Sequence, residues 1–273
     1  MAAMENIDRI ALIAGNRNFP ILLAKAARAN GVEVIAIAVN SETEKEIETV
    51  ANKVYWINLG EGKKLIEIIN KEDIKYAVMA GKITKTTIIR ESLRLDEEAK
   101  KLIGRVVDRR DDTLLSAIAN RLKEEGVEFI DSTTFMKGMM PSKGVLTKRR
   151  PDRDELADID FGLKIARELG RLDIGQSVAV KKKAIIAVEA IEGTDEMIKR
   201  AGTLAGEGII VVKVSKPNQD MRFDVPVIGL TTIGSLKDSK AGVLGIEAEK
   251  VLVLEKDEVI READKLGLCI VAV

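Results

Sequence analysis

The sequence contains no histidine and a single cysteine, and these two absences exclude several kinds of chemistry. Without histidine there can be no Ser-His-Asp or Cys-His catalytic triad and no histidine-ligated zinc site. The single cysteine, Cys269, cannot form a disulfide within the chain, and its apolar neighbours in sequence predict a small core residue. A chain without a disulfide framework is typical of the cytoplasm, so we expect a cytoplasmic protein.

Long apolar runs and an excess of charge of one sign are also lacking. There is no run of 18 apolar residues, which predicts no transmembrane helix, and the acidic Glu5 and Asp8 are unlike a signal peptide. The 44 Lys and Arg residues balance 44 Asp and Glu residues, which argues against a nucleic-acid partner. What is present is a chain of 273 residues, 46% hydrophobic, which is long enough for two ordinary domains.

In the first 133 residues, short apolar runs alternate with segments of helical spacing. The apolar runs predict strands over 9–14, 34–39, 54–59, 76–80 and 127–130. Helical spacing covers 21–30, 62–70 and 114–125. Ser41 and Glu44 form a capping-box pattern that predicts a further helix. Because strands that alternate with helices are typical of a parallel sheet, we predict an α/β fold. Its first domain, residues 1–133, is an open, doubly wound, mostly parallel Rossmann-like sheet.

The rest of the chain predicts a linker and a second domain. Residues 134–155 are rich in proline, glycine and basic side chains, which is typical of a linker. A helix is predicted over 156–169, followed by a hairpin that turns at Lys181 to Lys183 and by further strands and helices. Thr194 is predicted to cap a helix, because two acidic residues follow it. Residues 156–273 therefore form a second domain of mixed α/β structure.

Polar residues follow several strands of the predicted first domain. Gly15, Asn16 and Lys82 lie where ligands bind such sheets, and Asp112 lies near the start of a predicted helix. A loop of this kind can contact a nucleotide or sugar phosphate, whereas the alternatives are a tight turn and, for Asp112, a helix cap. The glycine fingerprint of NAD-dependent oxidoreductases is missing, and no acidic residue directly follows Val39 at the end of the second strand.

A charged segment follows the apolar strand that ends near residue 212. Its charged residues are Lys213, Lys216, Asp220, Arg222 and Asp224. Pro217 and Pro226 restrict the backbone on either side of the acidic positions. Cations and carboxylates on one stiffened loop suit a phosphate group that is bound together with a metal ion. The alternative is an exposed charged loop without a ligand.

Three acidic residues lie within seven positions between a predicted strand and a predicted helix. They are Glu189, Glu192 and Asp195. Carboxylate oxygens suit Mg²⁺, which keeps several waters and uses few protein carboxylates. The alternative for each of these acids is a solvated surface position. Gln176 lies before the hairpin, in a polar stretch that belongs to the same group of candidates.

Several stretches of the chain resemble the UDP-2,3-diacylglucosamine pyrophosphatases of the LpxI type. They are DIGQSVAV, AIIAVEAIEGTDEMI, VVKVSKPNQDMRFDVPVIG and VLVLEKDEVIREADKLGL. The N-terminal ALIAGNRNFPILLAKAARANG and the later RDDTLLSAI fit the same family, so the resemblance covers nearly the whole chain. Arg17 stands where the family loop commonly has its second glycine. Arg110 stands where the family often has a glycine before the paired aspartates.

The resemblance implies an activity. It is hydrolysis of UDP-2,3-diacylglucosamine to 2,3-diacylglucosamine 1-phosphate (lipid X) and UMP in lipid A biosynthesis, with Mg²⁺ or Mn²⁺ as cofactor and water attacking the α-phosphorus. The resemblance also implies a homodimer. With no net charge, we expect at most a transient, peripheral contact with the inner face of the membrane. The alternatives are a non-catalytic UDP-sugar sensor and a hydrolase of another nucleotide diphosphate conjugate.

The candidate residues and the resemblance together predict three groups of site residues. The predicted catalytic residues are Arg222, Lys213 and Asp224, the last of which matches the family's essential aspartate. The predicted substrate-binding residues are Gly15, Asn16, Lys82, Asp112, Gln176, Thr194, Lys216 and Gln219. The predicted metal ligands are Asp224, Asp220, Glu189, Glu192 and Asp195.

Overall fold

The computed structural model describes residues 7–83, 95–104, 111–217 and 219–273. The chain divides into two compact units. The first unit comprises Met1–Met136 and Met221–Asp224, and the second comprises Lys137–Asp220 and Val225–Val273. The chain therefore leaves the second unit for four residues and then returns to it.

The first unit contains a parallel sheet of five strands. The strands are β1 (Arg9–Ala14), β2 (Glu33–Val39), β3 (Lys53–Ile57), β4 (Tyr76–Ala80) and β5 (Glu128–Phe129). They lie in the order β3-β2-β1-β4-β5. The helices are α1 (Phe19–Ala29), α2 (Ile47–Val50), α3 (Gly62–Lys71), α4 (Glu97–Gly104) and α5 (Asp111–Glu124). The predicted doubly wound parallel fold is confirmed, and its strand order reverses between β1 and β4.

The helix that was predicted to start at Ser41 is wrong in its position and its cap. The chain turns after β2, and α2 then spans only four residues without a side-chain cap bond. The hydroxyl of Thr43 explains the difference, because it accepts from the Val39 N–H at 2.9 Å and donates to the Ala14 carbonyl at 2.6 Å. This hydroxyl ties the end of β2 to the end of β1, so the residues around it form a turn.

The second unit contains a mixed sheet of six strands. Its strands are β6 (Gly144–Val145), β7 (Ser177–Lys181), β8 (Ala184–Val188), β9 (Ile210–Lys213), β11 (Val243–Ile246) and β13 (Cys269–Ala272). They lie in the order β6-β13-β11-β9-β7-β8, with β9, β11 and β13 parallel and β7 antiparallel to β9. A separate parallel pair is formed by β10 (Val227–Ile228) and β12 (Leu252–Val253). The predicted mixed α/β structure of the C-terminal part is confirmed.

Four helices described in the second unit cover this sheet. They are α6 (Arg153–Arg171), α7 (Thr194–Ala205), α8 (Leu230–Asp238) and α9 (Lys256–Lys265). Asp152 begins α6 with a complete capping box, in which its side chain accepts from the Glu155 N–H and the Glu155 side chain accepts from the Asp152 N–H. Residues 134–155, which were predicted as a linker, include β6, and β6 pairs antiparallel with β13. Cys269 is fully buried in β13.

The β7–β8 hairpin turns where the lysines predicted it. Lys182 and Lys183 have φ values of 51° and 56°, the pair of left-handed residues that a two-residue hairpin turn requires. The Asp158 carboxylate of α6 accepts from both of their backbone N–H groups at 2.7 Å. These two bonds offset the strain of two non-glycine residues in the left-handed region.

No described helix combines the length and the hydropathy that a bilayer crossing requires.

Candidate functional site

In the first unit, the loops after β1 and β4 meet at the carboxyl ends of their strands. The Gly15 N–H donates to the Ala80 carbonyl, and the Asn16 N–H donates to the Lys82 carbonyl, both at 2.8 Å. A Cβ on Gly15 would lie 2.5 Å from the Lys82 carbonyl oxygen, so the approach requires glycine. Three predicted substrate-binding residues are therefore neighbours at the point where the strand order reverses.

Glu42, which was not among the predicted site residues, lies beside them. It is only 8% exposed, and one of its carboxylate oxygens accepts from Asn16 Nδ2 at 2.9 Å. The amide oxygen of Asn16 is buried and has no hydrogen-bond partner in the structure. Carboxylates near the end of the second strand contact ribose hydroxyls in nucleotide-binding sheets. The signal was an acidic residue three positions after Val39, whereas the prediction considered only the position directly after it.

Asp112 is the second residue of α5. The prediction that this side chain binds substrate falls outside the described part of the structure. The same is true of Arg110 and of the rest of residues 105–110.

In the second unit, Ser177, Lys213 and Glu189 lie side by side on one face of the sheet. Ser177 pairs with Lys213 in the β7–β9 ladder, and the Glu189 N–H donates to the Ser177 carbonyl at 2.9 Å. Side chains that lie opposite one another on adjacent strands project to the same face. Ser177 is fully buried, Lys213 is 5% exposed and Glu189 is 8% exposed. The sheet therefore brings a cation and a carboxylate together away from water.

Thr194 joins these three side chains. Lys213 Nζ donates to Thr194 Oγ1 at 2.7 Å, and Thr194 Oγ1 donates to Glu189 Oε1 at 2.9 Å. Ser177 Oγ lies 3.3 Å from the same threonine oxygen. The prediction that Thr194 caps α7 is wrong, because the N-cap is Gly193 and makes no side-chain bond. The threonine is the first residue of the helix, and its hydroxyl is bonded to the buried side chains of the sheet.

Gly175 allows Glu189 to approach this part of the sheet closely. A Cβ on Gly175 would lie 2.1 Å from the Glu189 carbonyl oxygen and 3.1 Å from the Glu189 Cβ. Any other residue at position 175 would displace the end of β8. The glycine therefore fixes where the Glu189 side chain starts, and through it the position of the whole side-chain cluster.

The other predicted acidic ligands of the second unit have different surroundings. Glu192 accepts from Arg200 Nη2 at 2.6 Å and from the Ala190 N–H at 3.2 Å. Its own backbone N–H, followed by the Arg200 guanidinium, holds the pKa of Glu192 below the ordinary glutamate value. Asp195 lies in the first turn of α7, where its charge suits the helix dipole. Among the described residues, no three acidic or cysteine side chains are grouped so that they could hold a metal ion.

Lys216 and Gln219 close the loop after β9. The Lys216 N–H donates to Gln219 Oε1 at 2.9 Å, and the Gln219 N–H donates to the Lys216 carbonyl at 3.0 Å. Lys216 Nζ forms an ion pair with Asp173 at 2.7 Å. Gln176 directly precedes β7, and its backbone carbonyl accepts from the Val214 N–H at 2.9 Å. It is 9% exposed, and its amide oxygen is buried without a hydrogen-bond partner in the structure.

The segment that carries Asp224 packs with the first unit. The Ser132 hydroxyl lies 2.9 Å from the Arg222 carbonyl oxygen, and the Phe223 ring packs edge-on against Phe129 at 6.0 Å. The guanidinium of Arg222 lies 4.7 Å from the centroid of the Phe223 ring. Two predicted catalytic residues, Asp224 and Arg222, thus belong to the first unit. The predicted residues that belong to the second unit are Lys213, Lys216, Gln219, Asp220, Gln176, Glu189, Glu192, Thr194 and Asp195.

Comparison with known proteins assigns both halves of the chain to one family. The family model of the LpxI N-terminal domain matches residues 9–139, and that of the LpxI C-terminal domain matches residues 142–271. The UDP-2,3-diacylglucosamine pyrophosphatase LpxI of Caulobacter vibrioides is 32% identical over 279 aligned residues, which cover 97% of this chain and 97% of that protein.

Similarity to solved structures is much lower. Glycinamide-RNase-transformylase T from Mycobacterium tuberculosis is 15% identical, with a TM-score of 0.25 over 50% of this chain and 37% of that chain. Phosphoribosylglycinamide synthetase from Anaerococcus prevotii is 12% identical, with a TM-score of 0.28 over 67% of this chain and 39% of that chain. Scores this low support no argument about this protein. The family is shown instead by the two domain matches and by the relative that aligns over nearly its full length. The chain belongs to the LpxI family.

Proposed function

We propose that this protein hydrolyses UDP-2,3-diacylglucosamine to 2,3-diacylglucosamine 1-phosphate and UMP, a step of lipid A biosynthesis. The observation that carries the proposal is the 32% identity, over 97% of the chain, to the Caulobacter vibrioides pyrophosphatase. In the proposed reaction, water attacks the α-phosphorus and its oxygen stays with UMP. The bond from the α-phosphorus to the bridging oxygen breaks, and the sugar 1-phosphate leaves with that oxygen.

The carboxyl ends of β1 and β4 in the first unit are the proposed site of the UDP moiety. Glu42 would accept a hydrogen bond from a ribose hydroxyl, and the amide oxygen of Asn16 would accept from a ligand N–H or O–H. Lys82 has an exposed side chain at the same edge of the sheet and would neutralise a phosphate. The start of α1 follows the β1 loop directly, and the positive end of a helix favours an anion there.

The proposed residues that neutralise negative charge on the phosphates of the substrate are Lys213, Lys216 and Arg222. A buried ammonium such as that of Lys213 interacts more strongly with a developing negative charge than an exposed one, because little water screens it. Arg222 can contact phosphate oxygens through two parallel hydrogen bonds. Lys216 would exchange its ion pair with Asp173 for a phosphate oxygen. Catalysis of this kind is mainly positioning and charge neutralisation, so no histidine base is required.

Asp224 is the proposed residue that orients the attacking water. Replacing Asp224 with Asn keeps the size of the side chain and removes its charge. We expect turnover to fall by at least about 100-fold while the melting temperature stays near that of the wild type. The matched control is Asp160→Asn, at an exposed position of α6, which should keep full activity. Activity of Asp224→Asn within a few-fold of the wild type would exclude this role.

A requirement for Mg²⁺ or Mn²⁺ is a separate part of the proposal. The five predicted ligands do not fit as one set, since Glu192 is paired with Arg200 and no group of three acids exists among the described residues. No step of the reaction is therefore derived through a metal ion. The test is dialysis against EDTA followed by titration with each ion. Loss and recovery of turnover support the requirement, and full activity in EDTA contradicts it.

We also propose a homodimer in the cytoplasm that makes transient contact with the inner face of the membrane. The reason for the membrane contact is the substrate, whose two acyl chains reside in a bilayer. Light scattering coupled to gel filtration measures the assembly state. Sedimentation with vesicles that contain the substrate measures the contact, and equal sedimentation with and without substrate would contradict a substrate-driven encounter.

A further inference from the structure

The hydroxyl of Thr194 has its hydrogen-bonding capacity filled by the buried side chains around it. A threonine hydroxyl has one proton to donate and two lone pairs to accept with. An ammonium can only donate and a carboxylate can only accept, so Thr194 accepts from Lys213 and donates to Glu189. The remaining contact, with Ser177 Oγ at 3.3 Å, can then form only with the serine as donor. This assigns the three hydrogen bonds at the Thr194 hydroxyl and leaves that hydroxyl no capacity for a substrate.

Glu189 is held in a way that directs its charge toward Lys213. Both bonds meet at the Thr194 oxygen, so the Glu189 carboxylate and the Lys213 nitrogen lie within about 6 Å of each other in a buried region where attraction is strong. The second oxygen of Glu189 is buried and has no hydrogen bond in the structure. The negative charge is therefore not shared among several donors.

Glu247, which directly follows β11, is a second buried glutamate with a different set of partners. It is 6% exposed and accepts from the Ser215 N–H at 3.0 Å, from Lys250 at 3.1 Å and from Arg167 at 3.2 Å. Both carboxylate oxygens of Glu247 accept hydrogen bonds. In Glu189 one carboxylate oxygen accepts a hydrogen bond and the other has no hydrogen-bond partner in the structure. The two glutamates are thus comparable in burial and differ in the number of hydrogen bonds that their carboxylates accept.

We propose that Glu189 and Thr194 are positioning residues for Lys213, and that neither contacts a metal ion or the substrate. A lysine side chain has four rotatable bonds, and without the Thr194 hydroxyl its ammonium would lose a fixed acceptor at 2.7 Å that restricts where it lies. Displacement of a charge-neutralising group by about 1 Å can lower turnover by about 100-fold. The inference rests on the proposed function, in which Lys213 neutralises the diphosphate.

The kinetic test is a double-mutant cycle with UDP-2,3-diacylglucosamine. Glu189→Gln and Thr194→Val should each lower kcat by about 10-fold to 100-fold, with KM changed by less than about 3-fold. Thr194→Ser keeps the hydroxyl and should restore kcat to within about 3-fold. In a Lys213→Met background, Glu189→Gln and Thr194→Val should have little further effect, because the group they position is gone.

Three kinetic results would overturn the inference. The first is that Glu189→Gln or Thr194→Val lowers kcat by the same factor in the Lys213→Met background as in the wild type, which is the behaviour of independent sites. The second is a large rise in the Mg²⁺ concentration that Glu189→Gln needs for half-maximal activity, which would make Glu189 a metal ligand. The third is wild-type kcat in Thr194→Val. Glu247→Gln is the control for an effect that comes only from lost stability. This variant should change kcat by the same factor whether position 213 is lysine or methionine.

A measurement without substrate separates this inference from the proposed function. The ¹³Cε signal of Lys213 in NMR, identified by its absence in Lys213→Met, reports where the ammonium lies. It should shift in Thr194→Val and in Glu189→Gln and stay unchanged in Thr194→Ser. A signal unmoved in both of the first two variants would refute the positioning role even if the wild type hydrolyses the substrate. Shifts without any turnover would refute the proposed function and retain the arrangement.

Discussion

Replacing Gly175 with alanine should show how tightly the end of β8 is packed. The backbone φ at Gly175 lies outside the left-handed region, so the effect comes only from the added methyl group. Its carbon would lie 2.1 Å from the Glu189 carbonyl oxygen, and contacts under 3.0 Å are essentially never observed. The chain after β8 must therefore move by about 1 Å, and such overpacking costs up to about 3 kcal/mol.

We expect the melting temperature of Gly175→Ala to fall by up to about 6–12 °C, at about 2–4 °C per kcal/mol for a chain of this size. Turnover should fall as well, because Glu189 moves with the backbone. The matched control is Gly234→Ala in α8, where a Cβ meets nothing within 4 Å and alanine should stabilise the helix by about 0.5–1 kcal/mol. Calorimetry of both variants is the assay. A melting temperature of Gly175→Ala within about 2 °C of the wild type would refute the packing argument.

Three further predictions concern the first unit. Ser132→Ala removes a hydroxyl whose one proton is shared between the Met79 carbonyl at 2.7 Å and the Arg222 carbonyl at 2.9 Å, so unfolding in urea should show a loss of about 1–3 kcal/mol and turnover should also fall. Loss of neither would contradict the role of this hydroxyl. A hydrogen bond from Lys53 lowers the pKa of Glu72 from its ordinary 4.5. The stabilising charge is therefore complete above pH 4.5 and is lost as the pH falls through the lower folded-state value. Thermal melts should show that the advantage of the wild type over Glu72→Gln shrinks steadily as the pH is lowered below 4.5. Arg17 has a φ of 66°, a conformation that suits the glycine common in the family. Arg17→Gly should therefore raise the free energy of unfolding, measured in urea, by up to about 1 kcal/mol. A decrease would show that the contacts of the arginine outweigh the backbone strain.

Much of the fold could be predicted from periodicity alone. The strand over 9–14 has the predicted bounds, because a buried parallel strand is a continuous apolar run with polar residues at both ends. The hairpin at Lys182 and Lys183 was also predicted at the correct place. The helix α4, Glu97–Gly104, was missed because its charged first turn masks the apolar spacing.

Local patterns failed where a side chain is bonded to a distant part of the chain. Ser41 and Glu44 match a capping box, yet the neighbouring Thr43 is bonded to β1, and a local pattern cannot reveal that competition. Thr194 was likewise predicted to be a helix cap from the residues that follow it, but its hydroxyl is bonded to a buried lysine of β9. In both cases a tertiary hydrogen bond outweighs a local preference.

The sequence indicated which predicted site residues lie together at the strand ends of the first unit, but it did not indicate the arrangement of the others. Strand ends indicated Gly15, Asn16 and Lys82, and the structure brings them together. The acids after β8 looked like one metal-binding group because they are close in sequence, although Glu192 is bonded to Arg200. That Asp224 packs with the first unit depends on Ser132 and Phe129, which lie about 90 positions away, so no local pattern could show it.

The measurement that tests the central claim most directly is hydrolysis of UDP-2,3-diacylglucosamine in ¹⁸O-labelled water, with both products analysed by mass spectrometry. Attack at the α-phosphorus predicts the label in UMP and none in 2,3-diacylglucosamine 1-phosphate. Label in the sugar phosphate would contradict the proposed position of attack. Tight binding without turnover would contradict the hydrolase and favour a non-catalytic sensor or another nucleotide diphosphate conjugate as the substrate.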